Sequence, residues 1–350
     1  MTRVPASMRV AVYHGDGRLT VETRPVPRPG PGEIVVRIAA CGICGSDLMR
    51  WYQDPRAPVV LGHEPVGHVH AVGEGVALAV GERVFVHHHV PCLVCARCRD
   101  GRETLCERFR ATRIDPGGLA EYVRVPRENV DLDVLVVPDH VTDDAATLIE
   151  PLACILRGQH MAGTGPGSTV AVVGAGSMGL IEIMAARALG AARVVVVEPD
   201  AGRRERAVRA GAVAACGLDA ASVRAALGGA GADQVFVCTH SPAAIAESLR
   251  MAGPAGVVQL FAVPEPGHTV PLDLGEAFFR EVTIQSTYSA GPHDTREALA
   301  LVAAGAIDAD LVVTHRVPLE AAAEAYRLAD SGEAVKVVVH TTREPSHAGT

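Results

Sequence analysis

Cys92, Cys95 and Cys98 are separated by two residues each, and Cys106 follows after seven more, so four thiols fall within fifteen positions. Four thiolates can close a tetrahedral zinc site. The two-residue gaps let successive sulfurs turn back toward one ion, and the longer gap supplies a small lobe that returns the fourth ligand. With every position filled by protein, such a site holds structure and does no chemistry. Two disulfides are the rival arrangement. The chain carries nine cysteines, an odd number, and no secretory signal, so a reducing cytoplasm and structural zinc are expected instead.

A second chemistry is written in Gly174-Ala-Gly176-Ser-Met-Gly179, which lies between an apolar strand, Val170 to Val173, and a helical stretch, 178 to 189. Gly174 permits a tight turn, Gly176 lets a pyrophosphate approach the backbone at a helix N-terminus, and Gly179 allows helix and strand to pack closely. Glu198 stands 19 residues beyond Gly179, at the end of the next strand, where a carboxylate accepts hydrogen bonds from both adenosine ribose hydroxyls. A carboxylate there repels a 2'-phosphate. NAD is therefore expected over NADP, although Arg203 and Arg204 close behind work in the other direction.

Three further pieces carry metal-ligand types: Cys41-Gly-Ile-Cys44-Gly-Ser46-Asp47, Gly62-His63-Glu64 and Ile149-Glu150-Pro151. Singly each is weak, because a lone cysteine is usually a small core residue and a lone His-Glu pair is usually held by hydrogen bonds. Together, a soft thiolate, an imidazole and one or two carboxylates suit a zinc ion that keeps one position open to water or substrate.

These groups need a scaffold. From Arg9 to about Leu152 short strands are punctuated by glycine and proline, as in Glu33 to Ile38, His68 to Val72 and Glu82 to Val86, which predicts an irregular, mostly antiparallel β domain. From Ser168 strands and helices alternate, through Arg193 to Val197, Gln234 to Cys238, Gly256 to Leu260 and Thr283 to Ser286, which predicts a parallel sheet with crossover helices. A helix from Thr295 to Ala304 and a last strand, Lys336 to Val339, are expected to return to the first domain. The boundaries are thus 1–153, with the zinc lobe at about 90–110, then 154–290 and 291–350.

The chain of 350 residues has a net charge of -8, from 32 basic and 40 acidic residues, and 3% aromatics, so no nucleic-acid partner is expected. No apolar run approaches the ~18 residues of a membrane span. Lys336 is the only lysine, and with the abundance of Ala, Gly and Arg it reads as a matter of base composition.

The three metal-ligand pieces, the four-cysteine lobe and the nucleotide fingerprint occur in one order and spacing, and over residues 8 to 340 the chain resembles the zinc-dependent medium-chain alcohol dehydrogenases. The glutamate after His63 and the Ile-Glu-Pro segment are similar to the sorbitol (polyol) and threonine dehydrogenase branch. The resemblance implies an α/β fold, a Rossmann doubly wound parallel sheet joined to a mostly β GroES-like catalytic domain that carries the structural zinc lobe. It implies two zinc ions per chain. Cys44, His63 and Glu64 match the catalytic zinc ligands, and Glu150 matches a glutamate that binds that zinc directly or through water. Ser46 matches the hydroxyl that relays the substrate proton, and Asp47 an acid that orients the imidazole. Cys92, Cys95, Cys98 and Cys106 match the structural lobe, and Glu198 with Arg203 the ribose contacts.

The implied reaction is hydride transfer between NAD and a secondary alcohol of a polyol, sugar, cyclitol or aminocyclitol, with L-threonine or another amino alcohol as the rival substrate. A zinc-free reductase would lack Cys44, His63 and Glu64. A non-catalytic zinc- and NAD-binding regulator is the alternative of another class. The expected partners are a small-molecule alcohol or ketone and further copies of the chain, as a homodimer or homotetramer. Cys41 is assigned to the core, since pairing it with Cys44 would consume a zinc ligand. His87, His88 and His89 are expected as plain strand positions on alternating faces. Cys154, Cys216 and Cys238 are expected as small buried residues, and Trp51 and Tyr52 either line the substrate site or pack.

Overall fold

The computed structural model describes residues 5–262 and 264–341, with only the backbone of Ala215 and Cys216. The chain forms two compact units: Met1–Pro151 with Ala290–Ala303 and Val313–Thr350, and Leu152–Ser289 with Ala304–Val312. Residues 304–312, expected in the returning segment, pack with the second unit. The Asp308 amide reaches Met184 Sδ at 3.3 Å, and Arg206 donates to Leu311 O at 3.3 Å.

In the first unit a seven-stranded sheet runs in the order His315–Pro318, Val337–His340, Ile34–Gly42, Glu64–Val72, Arg83–Val86, Val134–Val136, and Tyr122–Val125 pairs with Ile34–Gly42 off that path. Except for the parallel first pair, its pairings are antiparallel. A smaller sheet joins Leu19–Pro25, Ser7–Tyr13 and Val59–Val60. Between them lies an apolar core that includes Val10, Val12, Ile34, Val36, Ile38 and Val69. Cys41 belongs to that core: its side chain is fully buried, and a Cβ placed at Gly62 or Gly118 would fall 2.9 or 2.7 Å from its sulfur. The register sets Gly42 opposite both Glu64 and Val338, which places the residue after His63 beside the C-terminal strand.

The second unit holds a six-stranded parallel sheet in the order Ala214–Cys216, Arg193–Val197, Thr169–Val173, Ala232–Val237, Ala252–Leu260, Thr283–Ser286. Its central strands are continuous apolar runs because helices cover both faces; Val170 to Val173 and Val194 to Val197 are all buried. The order turns at Thr169–Val173, the strand that leads into the glycine-rich turn. Among the described residues no helix is long and apolar enough to cross a membrane.

Candidate active site and cofactor turn

In the lobe the sulfur of Cys92 lies 3.9 Å from Cys98 and 3.5 Å from Cys106, and Cys95 lies 3.5 Å from Cys98. Disulfide sulfurs would sit about 2.0 Å apart, whereas thiolates ~2.3 Å from one zinc in a tetrahedron sit about 3.8 Å apart. The four-cysteine donor set fits zinc. Leu93 takes φ 59°, and the resulting turn aims the amides of Val94 and Cys95 at the Cys92 sulfur, which pulls that thiol down to about 6. Burial, reinforced by the neighbouring sulfurs, pushes Cys98 up to about 12.

Cys44, His63 and Glu64 bring a sulfur, a ring nitrogen and a carboxylate oxygen within 4.8 Å of one another. Cys44 ends the loop after Ile34–Gly42, and the short helix Gly45–Leu48 returns Asp47 beneath it. Asp47 Oδ2 accepts the Cys44 amide at 3.0 Å, and Oδ1 lies 3.4 Å from His63 Nδ1. With Nδ1 turned to the acid, Nε2 is left for a metal. Burial opposes both charges here. In Asp47 the opposition is outweighed by His63 and the carboxyl is held below its usual range; in His63 it is outweighed by Asp47 and Cys44, and the imidazole is held well above its own. A proton and a cation therefore compete for the same seat. Ser46 is half-buried, its carbonyl takes the Gln53 amide at 2.9 Å, and its hydroxyl has no protein partner among the described residues.

What holds Glu64 lies 272 positions away in the chain. Lys336 Nζ lies 2.7 Å from Oε1 and 2.6 Å from Oε2, with both side chains sealed from solvent. Only the first contact has hydrogen-bond geometry, so Oε2 keeps a free lone pair in a buried position. The only lysine of the chain is thus an element of the site. Gly42 makes room for it, since a Cβ there would fall 1.9 Å from Glu64 Oε2 and 3.0 Å from Lys336 Cε. Burial pushes the Glu64 carboxyl up, with Glu150 adding to it and Lys336 opposing, while Glu64 and Cys44 outweigh burial to raise Lys336.

Glu150 sits buried in the first turn of helix Ile149–Met161, and its donor atom groups with those of His87 and His88. The alternation expected of the three histidines does not hold, because the strand ends at Val86 and the chain bends at His88. His63 and His88 rings lie 4.9 Å apart, so this group adjoins the first. His89 turns to the carbonyl of Thr112, and burial lowers its pKa to about 4. Trp51 packs edge-on against Tyr52, over whose ring Arg56 lies at 3.5 Å. Cys154 and Cys238 are half-buried rather than buried, and the side chain of Cys216 lies outside the described residues.

At the cofactor turn Gly174 adopts φ +100°, and a Cβ at Gly179 would fall 1.9 Å from Gly174 O. A Cβ at Gly176, the N-cap of helix Ser177–Ala188, meets nothing within 4 Å, so the backbone is open to a ligand there. Glu198 is buried and accepts the amides of Ala175 at 2.8 Å and Asp200 at 2.9 Å, so it braces the turn. Arg203 is half-buried beside it, its amide capped by Asp200 at 2.8 Å. Arg204 is tied to the carbonyls of Glu198 and Pro199 at 3.0 and 2.6 Å.

Residues 30–138 match the family model of the alcohol dehydrogenase GroES-like domain, and residues 177–304 that of the zinc-binding dehydrogenase. The chain is 34% identical to the sorbitol dehydrogenase of Gallus gallus, over 94% of this chain and 95% of the relative. It is 32% identical to the L-threonine 3-dehydrogenase of Bacillus licheniformis, over 93% of this chain and 96% of the relative. A zinc-binding dehydrogenase of Sinorhizobium meliloti, solved bound to NADP, superposes with a TM-score of 0.86 at 32% identity, over 96% of this chain and all of that one. A convergent thiol, imidazole and carboxylate, a serine hydroxyl two residues beyond the thiol, a four-cysteine lobe and an open glycine turn are the parts such enzymes need, and the chain belongs to the zinc-dependent medium-chain alcohol dehydrogenases that act on CH–OH donors.

Proposed function

We propose that the chain oxidises a secondary alcohol of a polyol, sugar, cyclitol or aminocyclitol, and reduces the corresponding ketone in reverse, with Cys44, His63 and Glu64 as the protein ligands of the catalytic zinc. The carrying observation is the convergence of those three donors, with the unpartnered hydroxyl of Ser46 two residues beyond Cys44 in the chain. When bound, zinc supplies the charge that makes an alcohol acidic near neutral pH, and the nicotinamide supplies the hydride acceptor. Ser46 takes the substrate proton and passes it outward. Asp47 fixes the tautomer and tilt of His63, so that its second nitrogen faces the reacting centre. Lys336 offsets the charge of Glu64 and holds one of its oxygens, leaving the other for the ion. Glu150 stands by as a further carboxylate.

Glu198 and Arg203 are the proposed adenosine-ribose contacts, with pyrophosphate against Gly174, Gly176 and Gly179 at the helix N-terminus. NAD is the proposed cofactor, since Glu198 repels a 2'-phosphate and Arg204 is occupied by backbone carbonyls. L-Threonine is the second substrate reading, supported by the Bacillus licheniformis relative. A compartment that keeps thiols reduced, the cytoplasm, agrees with eight described cysteines, all free. A homodimer or homotetramer is proposed, with Leu274, Phe278 and Phe279 of helix Leu274–Phe279 and Ile284 of the edge strand Thr283–Ser286 as the contact face; Phe279 is 86% exposed.

The test is a screen at 340 nm of the zinc-loaded protein, with NAD and NADP separately, against polyols, cyclitols, aminocyclitols, sugars and L-threonine. Reduced cofactor formed with one diol class is the expected result. Turnover of L-threonine alone would move the assignment to the amino alcohols, and silence in both directions, with ketones and NADH included, would leave a non-catalytic regulator.

A further inference from the structure

His87 and Asp133 are both fully buried, and His87 Nδ1 lies 2.7 Å from Asp133 Oδ2. The other oxygen of Asp133 accepts the Thr295 hydroxyl at 2.6 Å, and Asn129 donates to the His87 carbonyl at 2.9 Å. The ring is locked from behind. With Nδ1–H given to the acid, Nε2 carries a lone pair, and this atom is sealed from solvent without a hydrogen-bond partner. A buried acceptor left in that condition is destabilising, because it has given up water without a replacement. The bend at His88 turns a second imidazole toward the same point, and the buried carboxylate of Glu150 closes it, with the three donor atoms within 4.8 Å of one another. Donor atoms of two rings and a carboxylate converge there, and the ring atoms His87 Nε2 and His88 Nδ1 are buried without a hydrogen-bond partner.

We infer that His87, His88 and Glu150 form a second divalent-cation site next to the Cys44 group, with the Asp133–Thr295 pair as its outer support. An acid behind the imidazole is the arrangement that fixes a metal-binding histidine and raises its basicity. Two nitrogens and one oxygen, with no sulfur, suit zinc or another first-row divalent ion and leave a position for water. The chain then holds three ions, one for each convergent group of donors.

Elemental analysis of the intact zinc-saturated protein, after removal of loosely held metal, decides the matter. The expected result is three zinc ions per chain in the wild type and two in His88→Ala and in His87→Gln. Asp133→Asn should retain the site with affinity weakened about 10–100-fold. Cobalt substitution in a Cys98→Ser background, which empties the four-thiolate lobe, separates the two remaining positions: an ion at Cys44 gives intense thiolate-to-metal charge transfer, and one at His87 and His88 gives weak ligand-field bands alone. Retention of the thiolate band in the variants shows that the fold and the first site survive. Two ions in the saturated wild type, or three in both histidine variants, would overturn the inference. Because the readout is stoichiometry, turnover with two ions sinks this site and spares the dehydrogenase assignment, whereas three ions without turnover do the reverse.

Discussion

Replacing Lys336 by Met keeps an unbranched side chain of similar reach and removes one buried positive charge. The Glu64 carboxylate is then left fully buried, near Glu150, with no ammonium against it. Breaking a buried pair by deleting one partner typically costs about 3–5 kcal/mol. For a unit of roughly 200 residues, at about 2–4 °C per kcal/mol, this lowers the unfolding temperature by about 6–20 °C. The assay is thermal unfolding followed by circular dichroism on metal-chelated protein at pH 7.5 and near pH 4.5. The sign of the pH dependence follows from Glu64. Its carboxyl is raised in the fold, so its charge is a burden above the unfolded value of about 4.3 and none below it. The gap between Lys336→Met and wild type must therefore shrink on acidification, where the variant buries a neutral acid and the wild type an unpaired ammonium. Zinc should also narrow the gap at neutral pH, since the ion offsets the same charge. A loss under about 1 kcal/mol in chelated protein at pH 7.5, or a gap that widens in acid, would refute the reasoning.

Gly179→Ala forces a methyl group to within 1.9 Å of a backbone oxygen, so helix and strand must part; dinucleotide affinity measured by fluorescence titration should fall, with a stability loss of about 1–3 kcal/mol. Cys98→Ser removes one corner of the lobe, and the variant should bind one zinc fewer and unfold earlier while retaining the cobalt charge-transfer band of Cys44; a stable variant with full zinc content would contradict the lobe's role. Phe279→Asp places a charge at the exposed end of helix Leu274–Phe279, and sedimentation should show a smaller species than the wild type; an unchanged sedimentation coefficient would move the contact face elsewhere.

Where function rests on neighbours in the chain, the sequence was a sufficient guide. The strand, glycine turn and helix around Gly174 to Gly179 fall where spacing predicts, because a crossover unit builds its geometry from about thirty contiguous residues. The four-cysteine lobe is equally local. Cys44, His63 and Glu64 were legible as donor types, and their convergence came from family resemblance. Lys336 was not legible: 272 positions separate it from Glu64, and only the pairing of Val337–His340 beside Ile34–Gly42 brings it there. His87 and His88 were misread because face alternation applies within a strand, and the strand stops one residue earlier. The bracing of Glu198 by two amides was hidden for a third reason, since it depends on the path of a turn and not on residue type.

The burial of Lys336 has a consequence for chemistry done on the protein from outside. All other basic side chains but histidine are arginine, so the folded chain offers amine-directed reagents no accessible side-chain amine. Acylating labels and amine cross-linkers that decorate most proteins at many side chains can modify only one side chain of this one, and only after the fold around Lys336 has opened. The rate at which that one amine reacts is therefore a direct clock for the opening of the metal site, readable by mass spectrometry in a mixture and without a substrate.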